Sequence, residues 1–164
     1  MVFGEGRRDA EAMLVGEGPG ETEDNTGRPF VGRAGKLLDS MLASVGIERG
    51  EVYITNIVKC RPPRNRDPDF FEQNNCLPWL REQTRLISPK IIVCLGRVAA
   101  MRLIRSDFHI SAEHGRIERK GAFNMMAIYH PSYLLRSPQM RPETFADLKV
   151  LERFLNENRP AGAG

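Results

Sequence analysis

Cysteine is scarce here, three in 164 residues, which excludes a disulfide-stapled scaffold. No apolar run approaches the roughly 20 residues that cross a bilayer, so an α-helical membrane protein is excluded too. The start, MVFGEGRRDAEA, lacks the hydrophobic stretch of a signal peptide, and the expectation is a cytoplasmic protein. Internal repeats and low-complexity segments are missing apart from the closing PAGAG. That tail, 158–164, is expected to fray, leaving a single domain over residues 1–157.

What is present fits a globular domain: 41% apolar and 27% charged residues, with a net charge of +3. The charge is uneven. Residues 1–24 carry two arginines against seven acids, whereas Lys59, Arg61, Arg64 and Arg66 cluster with no acid among them. Arg116, Arg119 and Lys120 form a second basic group, and Arg136 with Arg141 a third. Localised positive charge suits a phosphate backbone; solvated surface charge is the plainer alternative, and composition does not choose between them.

Four apolar runs read as buried strands: AMLVGE (12–17), VYITNI (52–57), KIIVCLG (90–96) and MMAIYH (125–130). Between them, 32–46, 70–87, 97–105 and 143–157 read as helices, the first with Leu37, Leu38, Met41, Leu42 and Val45 on one face. Pro78 is expected to kink the second, or to delay its main body to about Leu77. Residues 109–123 read as an irregular or hairpin insertion. Alternating strands and helices imply an α/β/α sandwich of three layers around a four-stranded, mostly parallel sheet. In such sheets ligands sit beyond the carboxyl ends of the strands. Those ends carry GEGPG, Asn56 followed by Lys59-Cys60-Arg61, Gly96-Arg97 and His130-Pro131-Ser132.

GEGPGETED, Gly16 to Asp24, has the glycines of a phosphate cradle, but its four acids would repel a phosphate. Gly27–Ala34 has the two-glycine spacing of a Walker loop, yet it offers Arg33 and Ala34 where that loop needs Lys and Ser/Thr, and it follows no strand. A small nucleotide-binding hydrolase is therefore the weaker reading. Asn56 is odd inside a strand, and a buried amide there must be satisfied, which a ligand with paired donor and acceptor groups would do. His130 precedes a proline that fixes its direction. Phe30, between Pro29 and Val31, is either core or a stacking platform. Cys94, inside IIVCLG, reads as a small buried hydrophobe.

Taken in order, GEGPGETEDNTGRPFVGRAG, YITNIVKCRPPRNRDP, the C-x15-C spacing that ends at Cys76-Leu77-Pro78-Trp79-Leu80, IIVCLGR and HPSYLLRSP resemble the family 4, iron–sulfur type, uracil-DNA glycosylases. The resemblance runs from about Val2 to Asn156. It implies an enzyme that flips deoxyuridine from DNA and hydrolyses its N-glycosidic bond. It assigns His130 to the leaving uracil's O2, Asn56 to the uracil edge, Phe30 to stacking, and Gly16, Glu17, Gly18 and Pro19 to the sugar side. Gly18 stands where the superfamily's best-known members have an aspartate, so Glu17, Glu21 and Glu23 become candidates for handling water or the cationic sugar. HPSYLLR is expected to enter the minor groove, with Ser132 on a phosphate and Tyr133 or Leu134 filling the gap left by the flipped nucleotide. Arg61, Arg64, Arg66 and Arg136 are expected backbone contacts. The resemblance also implies a [4Fe–4S] cluster on four cysteines. Only Cys60 and Cys76 match, the other pair belonging upstream of the first strand, so this polypeptide is expected to lack the cluster. The implied partner is uracil-containing DNA, bound by a monomer, with no membrane. The rival within the same family is a catalytically silent DNA-binding relative.

Overall fold

The structure is a computed structural model that describes residues 1–160. In chain order its elements are β1 (Glu5–Gly6), β2 (Ala12–Gly16), α1 (Glu21–Thr26), α2 (Arg33–Ser44), β3 (Tyr53–Asn56), α3 (Phe70–Ile87), β4 (Ile91–Leu95), α4 (Arg97–Leu103), α5 (Ile110–Glu113), β5 (Glu118–Lys120), β6 (Phe123–Ile128), α6 (Pro131–Arg136) and α7 (Arg141–Glu157). The sheet has six strands in the order β1-β3-β2-β4-β6-β5. Its middle four, β3, β2, β4 and β6, are parallel, as expected. Of the two outer strands, β1 was not foreseen and β5 falls in the stretch read as an irregular or hairpin insertion. β1 and β5 are two and three residues long, too short for an apolar pattern to register, and both pair antiparallel at the edges.

Because side chains alternate across a strand, each central strand supplies two cores. Leu14, Ile91, Val93, Leu95, Met126 and Ile128 pack with Leu38 and Leu42 of α2 and Leu148, Leu151 and Leu155 of α7. Met13, Val15, Ile92, Cys94, Met125 and Ala127 pack on the other face with Leu80 of α3 and Ala99 and Ala100 of α4. That makes the three layers. Cys94 is fully buried, as its apolar setting suggested, and burial pushes its thiol up to about 12.

Pro78 neither breaks α3 nor delays it. The helix begins at Phe70 because Asp69 accepts the Glu72 N–H at 2.8 Å while Glu72 accepts the Asp69 N–H at 3.0 Å, a reciprocal cap that sets the start eight residues earlier than the proline. The segment 109–123 resolves into α5 and the first strand of the β5–β6 hairpin. HPSYLLR is a short helix rather than a loop, with His130 as its cap and Pro131 in the first turn, where a missing N–H costs nothing. His130 therefore lies two residues beyond the end of β6, not within it. Part of the expected tail is tied down: Lys90 donates to the Asn158 carbonyl at 2.5 Å and Arg159 pairs with Glu11 at 3.3 Å. Residues 161–164 lie outside the described residues.

A polar network inside the second core joins α3 to the sheet. Lys59, only 1% exposed, donates through Nζ to Thr55 Oγ1 (2.7 Å), Gln83 Oε1 (2.7 Å) and the Asn56 carbonyl (2.6 Å). Gln83 Nε2 donates onward to the Phe3 carbonyl (2.8 Å) and to Tyr53 Oη (3.1 Å). Burial pushes the Lys59 amine down to about 7, against the opposing pull of Cys76. Stranding such groups is expensive. Gln83→Leu is expected to cost about 2–3 kcal/mol in urea denaturation; a loss well under about 1 kcal/mol would show that this network does not anchor α3.

Candidate active site

Parallel pairing places the strand ends at one edge, and a cavity of about 720 Å³ opens there, within the range that holds a small ligand. Gly16 ends β2 directly opposite Asn56, the last residue of β3. The absence of a side chain at Gly16 matters: a Cβ there would lie 2.5 Å from Phe30 Cζ and 2.6 Å from Asn56 Oδ1. Gly18 lies against Val58, and Pro19 is buried behind it.

Asn56 is 1% exposed, and its Oδ1 has no hydrogen-bond partner among the described residues. An unpaired buried acceptor costs roughly 1–3 kcal/mol, so this atom is built for a donor that comes from outside. Phe30 is 6% exposed and held at φ +49°, a left-handed conformation rare for a bulky residue. Two clamps hold it. Arg49 donates to the Phe30 carbonyl at 2.7 Å and the Pro29 carbonyl at 2.5 Å, and is itself fixed by Asp39 at 2.9 Å. From the other side, Glu23 accepts the N–H groups of Val31 (2.9 Å), Gly32 (2.7 Å) and Gly20 (3.2 Å). Gly35 leaves room for the turn, since a Cβ there would overlap the Phe30 carbonyl.

That bonding corrects one expectation and agrees with another. Glu23, a catalytic candidate in the sequence, is occupied by three backbone N–H groups and fastens the turn. The Walker-like stretch follows α1 rather than a strand, and two of its N–H groups already serve Glu23, so it is no phosphate cradle. Glu21 is exposed on α1.

His130 faces Phe30 with ring centroids 5.6 Å apart. Its Nδ1 accepts the Ser132 N–H at 3.0 Å. A backbone amide only donates, so in the neutral ring the proton sits on Nε2, which is then free to donate. Burial pushes the imidazole down to about 4, helped by Arg136, against the opposing influence of Asp67 and Glu23. Glu17 moves the other way. Burial first, then the neighbouring Asp67 carboxyl, push it up to about 7, opposed by Arg97 and Arg136.

Ser132, Tyr133 and Arg136 line the same cavity. Leu134 does not: it is 1% exposed, because the helical turn of α6 carries Pro131 and Leu134 inward together. It is core, and of the two wedge candidates only Tyr133 reaches the opening. Arg61 and Arg64 sit on the loop that forms one wall; Arg61 bonds the Asn65 side chain at 2.7 Å and Arg64 is exposed. Arg66 is drawn to Glu72 at 2.5 Å.

Among the lining residues that went unnoticed in the sequence, three carry polar groups to the opening. Asn65 and Asp67 belong to that loop, where NRDP read as charge and turn; Tyr129 read as strand core, yet it reaches the cavity and stacks on Tyr133 at 5.0 Å. Only the spatial approach of the loop to the strand ends gives these residues a place in the site.

Cys60 is exposed and Cys76 is half-buried, its sulfur accepting the Lys59 N–H at 3.4 Å. A hydrogen bond to sulfur is what a ligating thiolate takes. Among the described residues, however, no group of three or more His, Cys, Asp or Glu is arranged to hold a metal. Two thiolates do not complete the four that a [4Fe–4S] cluster uses, so the donor set present does not fit that group.

A buried aromatic ring, an unpaired amide acceptor and a neutral imidazole donor thus line one cavity at the ligand edge of an α/β sheet. The family model described as the uracil DNA glycosylase superfamily matches residues 3–153. The chain is 46% identical to a type-4 uracil-DNA glycosylase of Archaeoglobus fulgidus, across 97% of this chain and 84% of that one. It is 44% identical to the type-4 enzyme of Thermotoga maritima, with 96% and 84% covered, and 34% identical to a type-5 enzyme of Pyrobaculum aerophilum, with 87% and 71% covered. The chain belongs to the uracil-DNA glycosylase superfamily and groups with its type-4 members.

The Arg49 clamp predicts a local effect. Arg49→Met is expected to speed amide exchange at Val31 and Gly32 about tenfold, the equivalent of roughly one lost hydrogen bond, with sheet amides unchanged. Equal protection in both proteins would remove Arg49 from that role.

Proposed function

We propose that this chain is a DNA repair glycosylase that takes deoxyuridine out of the DNA stack and hydrolyses its N-glycosidic bond, releasing uracil and leaving an abasic site. The observation that carries the reading is the unpaired Asn56 Oδ1 inside a cavity whose other walls are Phe30 and His130, in a member of this superfamily.

Each group has a use in that reaction. Phe30 stacks on the flipped ring. Asn56 Oδ1 accepts uracil N3–H, and the same amide donates to O4. Cytosine presents a lone pair at N3 and an amine at position 4, so both contacts reverse and the buried amide is left unpaired, which rejects it. As the C1′–N1 bond breaks, its electron pair moves into the uracil ring, and charge grows on O2. His130 Nε2–H donates there, a fixed dipole aimed at developing charge. The sugar becomes an oxocarbenium-like cation, and Glu17 faces it from the end of β2. Ser132, Arg136, Arg61 and Arg64 contact phosphates around the opening, while Tyr133 occupies the gap in the stack. The protein acts as a monomer in the cytoplasm; among the described residues no helix is long and apolar enough to cross a membrane. Cys60 and Cys76 are half of an iron–sulfur ligand set in this reading, and the hydrolysis needs only the side chains above.

His130→Ala is expected to lower single-turnover excision from a uracil-containing oligonucleotide about 10²–10³-fold, with DNA affinity within about threefold; equal losses in both would end the leaving-group role. No abasic product from the unaltered protein at high concentration would favour a silent DNA-binding relative. Asn56→Asp replaces the donor that faces O4 with a second acceptor. Uracil excision should fall by at least about 1–3 kcal/mol in transition-state terms, with the uracil-to-cytosine preference narrowed; an unchanged preference would refute the edge-reading role. With a pKa near 4 in the folded protein, His130 stays neutral at any ordinary pH. The unfolded chain binds its proton at a higher pH, near 6.5, so folding is opposed by protonation in the window between. Stability should therefore decline as pH falls from about 6.5 toward 4, and His130→Gln should flatten that decline in denaturant titrations.

A further inference from the structure

Of the three acids that the sequence offered for handling water, two have other positions: Glu23 holds the Phe30 turn and Glu21 is exposed on α1. Glu17 is left, and it is not alone. The loop between Cys60 and α3 brings Asp67 into the lining of the same cavity, where its charge acts on the Glu17 carboxyl. Arg97, the first residue of α4, holds Asp67 there at 3.1 Å. Arg136 is the other cation that acts on Glu17. The same cavity holds the unpaired, 1% exposed Asn56 Oδ1, so the two carboxyls and the uracil-edge acceptor share one ligand space.

Two carboxyls that act on each other cannot both be charged without penalty, and structures keep such pairs where they share a proton or meet a cation. A structural ion pair between Asp67 and Arg97 would not need Glu17 in the same cavity. In the proposed reaction a cation does form in this cavity, at the sugar. Resting on that functional reading, we propose that Asp67 is a catalytic residue that pairs with Glu17 to hold the attacking water and take its proton.

The step balances. The water oxygen bonds to C1′ as the C1′–N1 bond breaks, and the bonding pair leaves with uracil, whose O2 receives the His130 Nε2–H hydrogen bond. The proton shed by the water passes to the carboxyl pair. The pair returns it to solvent, and the uracil anion takes one up, so the sum is water plus deoxyuridine giving the abasic sugar and uracil. The pair with one shared proton carries a single negative charge toward the forming cation; with none, it is also a competent base. Glu17's upward displacement to about 7 agrees with this arrangement, since burial and the Asp67 charge both favour its protonated form.

Sign and size follow. Glu17 works as a base when ionised, so excision should rise with pH through an apparent pKa near 7 for the pair. Asp67→Asn keeps the shape but removes the charge that opposes ionisation, and the limb should move to lower pH by about one unit or more. The plateau rate should fall about tenfold as the base weakens. Arg97→Met removes a cation beside the pair and should move the limb the opposite way.

The experiment is single-turnover excision from a single-stranded uracil oligonucleotide between pH 5 and 9 for the unaltered chain, Asp67→Asn and Arg97→Met, with DNA affinity measured for each. Opposite displacements of the limb, with affinities within about threefold, support the pair. A slower Asp67→Asn enzyme whose limb stays in place is what a mere loop anchor would give, and it overturns the proposal. If Asp67→Asn fails to fold, Asp67→Ser takes its place: an acid shift of the limb supports the pair, and none overturns it. Absence of abasic product from the unaltered chain would instead overturn the functional reading, an outcome distinguishable from either.

Discussion

The site depends on one contact that exists because a side chain is missing. Gly16 ends β2 in register with Asn56, and its bare backbone lets the Phe30 ring and the Asn56 amide meet over it; a single methyl would collide with both at about 2.5 Å. With that gap present, the Phe30 ring and the Asn56 amide line the same cavity. Parallel pairing then adds the remaining groups, since β4 and β6 end at the same edge and deliver Gly96 and, two residues past Ile128, His130. A Cβ at Gly96 would meet His130 Cβ at 2.9 Å, so the imidazole too is seated against bare backbone.

Rigidity around that contact comes from spending charge on backbone groups. Glu23 takes three N–H groups and Arg49 two carbonyls, and together they hold Phe30 in a conformation it would not choose. Ser132 does the same for His130, and its single N–H decides which ring nitrogen carries the proton. These bonds are made before any ligand arrives, so little reorganisation is left for the reaction itself. Desolvation sets the protonation states in opposite directions from a shared cause: burial keeps the imidazole neutral and raises the Glu17 carboxyl.

Much of this was legible along the chain, and the reasons differ by residue. Asn56 was conspicuous because an amide is out of place in a strand, and the unpaired Oδ1 explains its presence. His130 stood out through the proline after it. Leu134 misled because HPSYLLR shows two leucines with no local sign of which faces inward; the answer is a single helical turn. Glu23 misled because an acid in an acidic run gives no hint that backbone donors from a later turn will claim it. Asp67 was overlooked because its loop reads as turn and charge, and only the fold brings it to the cavity that Glu17 lines, fifty positions earlier in the chain.

By itself the sequence determined the layered α/β fold, the four parallel strands and the family, and it singled out Asn56, Phe30 and His130. Apolar periodicity and short ordered motifs are local properties, and local patterns survive being read one residue after another. The tertiary structure alone decided which carboxylate is free and which is bound, which tautomer the histidine holds, which leucine is core, and which residues from distant loops face one another. Those outcomes depend on distances between segments far apart in the chain and on how much water is excluded between them, and neither quantity is written in any one stretch of it.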